Sequence, residues 1–331
     1  MSDDSELLAA LMAAALAPAD GADLWPAFLD RLARLTQADS AWLLLAPQGA
    51  PERLWQAGAP WAGPAEAAGR MRAGRVYSQV DLPGSAPPPR PLRALRLPLA
   101  AGGAVTLALG RGGADFRALD GVRLSGLVPH LGPAMDGWLR LMHQQDRARI
   151  DRQMLADLGG GWMLLTPSGQ VAELSPGLAA RLEALAGIQL RADGWLACPD
   201  PGAMPALRQA VAAAQVPGAG PQWLALSQGP AVQMVVTSGP AGLVGRLRHA
   251  LSARALPVGR LAGLLGISRS EARLAARLCD GQSLAEAAQD LGWTMETARS
   301  CSKRIFARTG SRGQPDLLRR MLESAIWLDQ G

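Results

Sequence analysis

The chain is short of several residue types, and each shortage excludes something. Its three cysteines, Cys198, Cys279 and Cys301, are far apart in sequence. Neither a disulfide framework nor a thiolate-rich zinc site fits such spacing, and a reduced, cytoplasmic setting is expected. The three histidines, His130, His143 and His249, show no metal-ligand spacing. No window of about 18 continuous apolar residues occurs, which argues against a membrane span. The amino terminus, Met1-Ser2-Asp3-Asp4-Ser5-Glu6, is acidic where a secretory signal is basic, so export is not expected. No nucleophile elbow, Walker loop or dinucleotide glycine pattern is present, and Gly110-Arg111-Gly112-Gly113 lacks the strand-to-helix context such loops need. No metal, cofactor or enzymatic activity is expected.

Lysine is the scarcest cation: Lys303 is the only one among 33 basic residues, and the other 32 are arginine. Position matters more than the total. Residues 1–245 carry 19 basic and 20 acidic groups, whereas 246–331 carry 14 and 8, so the positive excess sits wholly in the last quarter. With 331 residues, 49% hydrophobic and 18% charged, the chain is long and apolar enough for two or more ordered domains.

Helical spacing predicts helices over 5–18 and 22–36, the latter with Leu24, Phe28, Leu32 and Leu35 on one face. Ala41-Trp42-Leu43-Leu44-Leu45 reads as a buried strand, followed by a loose stretch peaking at Ser85-Ala86-Pro87-Pro88-Pro89. Strands over 92–99 and 105–109 flank Gly102-Gly103. A long helix is predicted over 134–158, with Trp138, Leu141/Met142, Ile150, Met154 and Leu158 in a stripe that is either a dimer seam or a face packed on its own domain. Gly159-Gly160-Gly161 stops it. A second unit follows, with a hairpin of 162–166 and 171–174, then a helix with Ser175 as N-cap and Pro176 at its first position. A helix over 203–215 and a hairpin of 222–227 with 232–237 complete it.

The densest local signals start at Ser268. Ser268-Arg269-Ser270-Glu271 has capping-box spacing, in which the serine accepts from the fourth residue's amide and the glutamate reaches back to the first. Gly281 supplies a left-handed stop. Ser283-Leu284-Ala285-Glu286 repeats the box and Gly292 the stop; Thr294 then caps a third helix to about Arg308. Capped short helices joined by glycine turns describe a helix-turn-helix. On a wheel of about 100° per residue, Ala298, Cys301 and Ile305 face inward, while Thr297, Arg299, Ser300, Lys303 and Arg304 face outward. Over 294–312, Arg299, Lys303, Arg304, Arg308 and Arg312 stand against Glu296 alone, a net +4 suited to phosphates or to a solvated face.

Residues 268–312 resemble the LuxR/GerE-type helix-turn-helix. Ser268 and Glu271, Gly281, Ser283, Glu286 and Ala288, Leu291-Gly292, Thr294, Thr297 and Arg299, then Ile305, Phe306, Arg308 and Gly310 fall at its pattern positions. Ala287, Ala298 and Thr309 depart from it, being smaller or more polar than usual. The resemblance implies double-stranded DNA as partner, contacted by Thr297, Arg299, Ser300, Lys303, Arg304 and Arg308, and a homodimer through a fourth helix running from Pro315 to Ile326. A phosphorelay receiver is excluded, since no lysine other than Lys303 exists. The acyl-homoserine-lactone branch needs tyrosines, and only Tyr77 is present.

The first unit resembles a GAF-type sensor in the layout of 24–39 before its first strand, and the second a PAS-type domain in its hairpin about Pro167-Ser168-Gly169. The expected architecture is multidomain α+β: a GAF-like unit over 1–133, a linker helix over 134–158, a PAS-like unit over 159–245 and an all-α LuxR-type helix-turn-helix over 246–331. Trp42, Trp55 and Trp61 are candidates to line a pocket for a small-molecule effector, although tryptophan more often fills core. The function expected is a one-component transcription regulator. The alternative is a protein-interaction module whose helix-turn-helix no longer binds DNA alone.

Overall fold

The protein is mixed α/β: two five-stranded antiparallel sheets are followed by a helical stretch. The structure, a computed structural model, describes residues 3–18, 21–84, 90–227, 232–240 and 242–328. The proline-rich peak at 85–89 lies outside the described residues. The chain divides into two units, 1–148 and 149–331.

In the first unit α1 (Asp3–Leu16) and α2 (Trp25–Thr36) precede β1 (Ser40–Pro47), β2 (Arg53–Gly58), α3 (Ala65–Ala68), β3 (Val76–Ser78), β4 (Leu92–Pro98) and β5 (Gly103–Gly110). The strand order is β2-β1-β5-β4-β3. Ala41 to Leu45 form an unbroken apolar run because β1 is covered on both sides: Ala41, Leu43 and Leu45 join the core with α1 and α2, while Trp42 joins a second cluster with Met71, Tyr77 and Ala108. Arg111 ties the end of β5 to the end of α2. Its guanidinium donates to the Thr36 and Gln37 carbonyls (Nε to Gln37, 2.9 Å), where the negative end of the helix favours a cation, and it lies over the Phe116 ring.

A single helix, α4 (Ala118–Asp157), begins well before the start near 134 that was expected. Asp120 accepts from the Arg117 amide at its start, and Leu124, Leu127, Leu131, Met135 and Trp138 continue one buried face, so Pro129 and Pro133 do not end it. The first half of the stripe is a face packed on its own domain. Trp138 and Met142 are buried in the first unit's core, whereas Ile150, Met154 and Leu158 are exposed.

The second unit carries β6 (Gly160–Leu165), β7 (Val171–Leu174), α5 (Leu178–Ala186), β8 (Gln189–Leu190), β9 (Leu196–Ala197), α6 (Ala203–Ala214), β10 (Gln222–Ala225), β11 (Val232–Gly239) and β12 (Gly242–His249). Its main sheet runs β10-β11-β12-β6-β7, and when only these five strands are counted this is the same order as the first sheet read from the other edge. Gly159 alone stops α4. It sits at φ +73°, and a Cβ there would lie 2.6 Å from the His249 carbonyl oxygen, whereas Gly160 and Gly161 already belong to β6. Ser175 is not the N-cap of α5, contrary to expectation: Gly177 is, and the Ser175 hydroxyl instead accepts from the Trp162 amide across the hairpin at 3.2 Å.

The helical stretch comprises α7 (Val258–Leu265), α8 (Arg269–Cys279), α9 (Leu284–Leu291), α10 (Met295–Thr309) and α11 (Gln314–Glu323), closed over their own core of Leu261, Leu274, Leu278, Ile305, Leu317, Met321 and Trp327. Among the described residues no helix is long and apolar enough to cross a membrane.

Candidate nucleic-acid interface

The helix starts of this stretch are fixed by their own first residues. Ser268 and Ser283 each accept from the amide three residues on while Glu271 and Glu286 accept from the serine amides, so both capping boxes are closed. The Thr294 hydroxyl accepts from the Thr297 amide at 3.2 Å and lies 2.8 Å from the Thr297 hydroxyl. Gly292 and Gly310 end α9 and α10 in the left-handed region. These devices together set the start and direction of α10.

Ala298, Cys301, Ser302 and Ile305 form the buried side of α10, and Phe306 is half-buried. Cys301 is therefore a core residue; burial pushes its thiol up against the opposing effect of Arg304, so it is no poised thiolate. Thr297, Arg299, Ser300, Lys303, Arg304 and Arg308 are all exposed on the other side. The structure thus brings the six candidate residues onto one helix face, but not as six equivalent groups. Glu271, 3% exposed, accepts from Arg304 Nε through Oε1 at 3.0 Å and from Arg308 Nη1 through Oε2 at 3.1 Å. Arg304 Nη1 also donates to the Ser300 hydroxyl at 3.4 Å. Counting Glu271 lowers the net charge of this surface from +4 to +3. Arg299 and Lys303 carry it outward most directly.

The carboxyl of Glu271 is subject to opposed influences. Burial alone would raise it, but the Ser268 amide, Arg304, the Ser268 hydroxyl and the charge of Arg308 together hold it below the ordinary glutamate value. Its capping role was visible in the spacing; its hold on two arginines 33 and 37 residues away was not.

Two further residues hold the frame. Gln314 Nε2 donates to the Leu278 and Gln282 carbonyls at 2.9 and 3.0 Å, so the Gly313-Gln314-Pro315 approach to α11 serves to close the end of α8. Asp280 accepts from the Ser252 hydroxyl, the Ala253 amide and Arg254, clasping the segment after β12 to the same end. On α11, Leu317 and Met321 are buried, while Leu318 and the exposed Leu322 stand four residues apart on another side.

The three tryptophans proposed to line one pocket do not meet. β1 and β2 pair Leu43 with Trp55, which puts Trp55 on the opposite face from Trp42. Trp55 packs edge-on against Trp138, tilted against Trp25, and donates from Nε1 to Asp23 at 2.6 Å. Trp42 and Trp61 share the other face, where Trp42 Nε1 and the Ser40 hydroxyl are buried without a hydrogen-bond partner.

No family model matches the chain, and no curated protein does. Solved structures similar to it include the E. coli DhaR(N)-DhaL complex, at 13% identity over 75% of this chain and 87% of that one with a TM-score of 0.32. The phage VqmA-DPO complex is another, at 16% identity over 55% of this chain and 92% of that one with a TM-score of 0.21. At such scores neither defines a fold shared with this chain.

Proposed function

We propose that the chain is a DNA-binding transcription regulator of LuxR type, in which two sensor-like α/β units precede a helix-turn-helix. The observation that carries this is the outward face of α10. A helix whose start is set by Thr294 and whose stop is set by Gly310 presents Thr297, Arg299, Ser300 and Lys303 on its solvent side, in the part of the chain that holds all the excess positive charge. In this reading α10 enters the major groove. Thr297 and Arg299 meet phosphates and Lys303 reaches base edges, while Arg304 and Arg308 are held in place by Glu271 and add charge near the backbone. Leu318 and Leu322 of α11 supply the seam of a homodimer. The α/β units act as sensors of a small-molecule effector rather than as enzymes, in a cytoplasmic protein.

The test is a salt titration of duplex binding by fluorescence anisotropy. Affinity falls steeply with salt, and Arg299→Ala lowers the slope of log K against log salt by about one unit. The second reading, an interaction module whose helix-turn-helix does not bind DNA alone, is favoured by one observation: a single buried glutamate already occupies two of the five cations. Absence of salt-dependent binding to any promoter fragment selects it.

A further inference from the structure

A cleft of about 320 Å³ lies between the last turns of α4 and the start of α5. Its volume is at the small end of the range typical of small-molecule sites, about 300–1,000 Å³. One wall is helical: Arg149 and Arg152, three residues apart and so on one side of α4, continue into Leu155 and Ala156. The other wall is the Ser175-Pro176 turn with Arg181 of α5 above it. Arg181 Nη2 donates to the Pro176 carbonyl at 3.2 Å, which aims its guanidinium across the turn. Among the described residues three guanidinium groups line the cleft and no carboxylate does, Arg149 and Arg152 each also having a partner of their own.

A second observation points the same way. The first turn of α5 has no side-chain cap, because its N-cap is Gly177 and the nearby Ser175 hydroxyl is turned to the Trp162 amide. The positive end of that helix follows directly on the Ser175-Pro176 wall, the Leu178 amide donating to the Ser175 carbonyl at 3.1 Å, and the field of a helix start favours an anion. Several guanidinium forks converging with a helix start suit an anion with three or more acceptor oxygens better than a lone carboxylate. Leu155 and Pro176 add a small apolar surface for the body of such a molecule. A duplex is a poor fit, since the site is concave and residues 1–245 as a whole carry one more acid than base.

We propose that this cleft binds a small phosphorylated molecule, through Arg149, Arg152, Arg181 and the start of α5. This site stands apart from the DNA reading and does not depend on it. The ligand would join the end of α4 to the first helix of the second sheet's unit, a place from which an effector acts on that unit.

The test uses the full chain in thermal-shift and calorimetric titrations at constant ionic strength, with inorganic phosphate, pyrophosphate and 5′-AMP as probes and chloride as control. At least one phosphoryl probe gives a saturable upward shift in Tm. Arg149→Ala and Arg181→Ala each weaken its binding at least tenfold, and Arg299→Ala leaves it unchanged. Ala156→Glu, which places a carboxylate in the cleft from the surface of α4, abolishes binding without relying on loss of an arginine. No saturable shift with any probe overturns the proposal, as does undiminished binding in the Arg149→Ala/Arg181→Ala variant. It is equally overturned if Arg181→Ala lowers duplex affinity as much as Arg299→Ala does, since the arginines then belong to a DNA surface. Preference for 5′-AMP over phosphate assigns a role to the apolar wall; equal binding assigns recognition to the phosphoryl group alone.

Discussion

Glu271 shows how much a single side chain decides in the helical stretch. It closes the capping box of α8 and anchors two cations of α10 from a buried position. Its carboxyl is held below the ordinary value of 4.5, so the unfolded chain binds more protons than the folded one as pH falls. Its stabilising contribution is complete above about pH 4.5 and is lost as pH drops through the lower folded value. Urea unfolding followed through the amide exchange of α8 detects this loss as pH is lowered below about 4.5, and Glu271→Gln flattens it. Arg304→Ala together with Arg308→Ala strands the carboxylate without a counter-charge. The cost is about 2–3 kcal/mol, below the roughly 3–5 kcal/mol of a fully buried pair because both guanidinium groups are more than half exposed. Glu271→Gln releases the two arginines instead, and in the DNA reading it steepens the salt slope by up to about one unit for each.

At the scale of elements, what was legible followed the range of the interactions that set it. The caps at Ser268, Ser283 and Thr294 and the stop at Gly292 act within four residues, so sequence spacing alone located the starts of α8, α9 and α10 and the end of α9. Ser283→Ala costs α9 about 1 kcal/mol by the loss of that cap, measurable as faster amide exchange confined to the helix. Ser175 carries the same local signature and behaves otherwise, because a cross-strand amide at Trp162 competes for its hydroxyl and no local rule can see that amide. α7 escaped notice because Gly259, Gly263 and Gly266 dilute its periodicity, and only Leu261 and Ala262 mark a buried side. β12 is a central strand, paired on both sides, whose inward Leu243 and Leu247 are interrupted by Gly245. The tryptophan pocket failed on register: proximity in sequence cannot tell on which face of a sheet two paired strands place their rings. Gly103 shows the reverse, a backbone demand visible beforehand as a turn. It holds φ +90°, and a Cβ there would lie 2.2 Å from the Ala46 carbonyl oxygen. Gly103→Ala lowers the denaturation midpoint of the first unit by an amount equivalent to about 2–4 kcal/mol, since both the conformation and the space are wrong for a side chain.

For the whole molecule, the distribution of charge and apolar surface separates the parts by task. Residues 1–249 contain both five-stranded sheets and are almost neutral, with 21 basic and 20 acidic groups, while the helical stretch after them carries 12 and 8, most of that excess on α10 and its flanks once Glu271 is counted. About three phosphates neutralised by each head correspond to a salt slope near −2.7 per protomer, and roughly double for a dimer on a two-fold site. A measured slope shallower than about −1 for the dimer excludes the DNA reading. The exposed side chains of Ile150, Met154 and Leu158 continue the stripe whose earlier residues are buried, so the helix passes from a packed face to an open one along its length. The solitary lysine has a practical consequence for such experiments. Lys303 is exposed on the outward face of α10, and its Nζ is the one side-chain primary amine the chain possesses. An amine-selective acylating reagent therefore labels one side-chain position, and the yield at that position, read by peptide mass spectrometry with and without duplex, footprints the groove-facing helix through a single reporter atom.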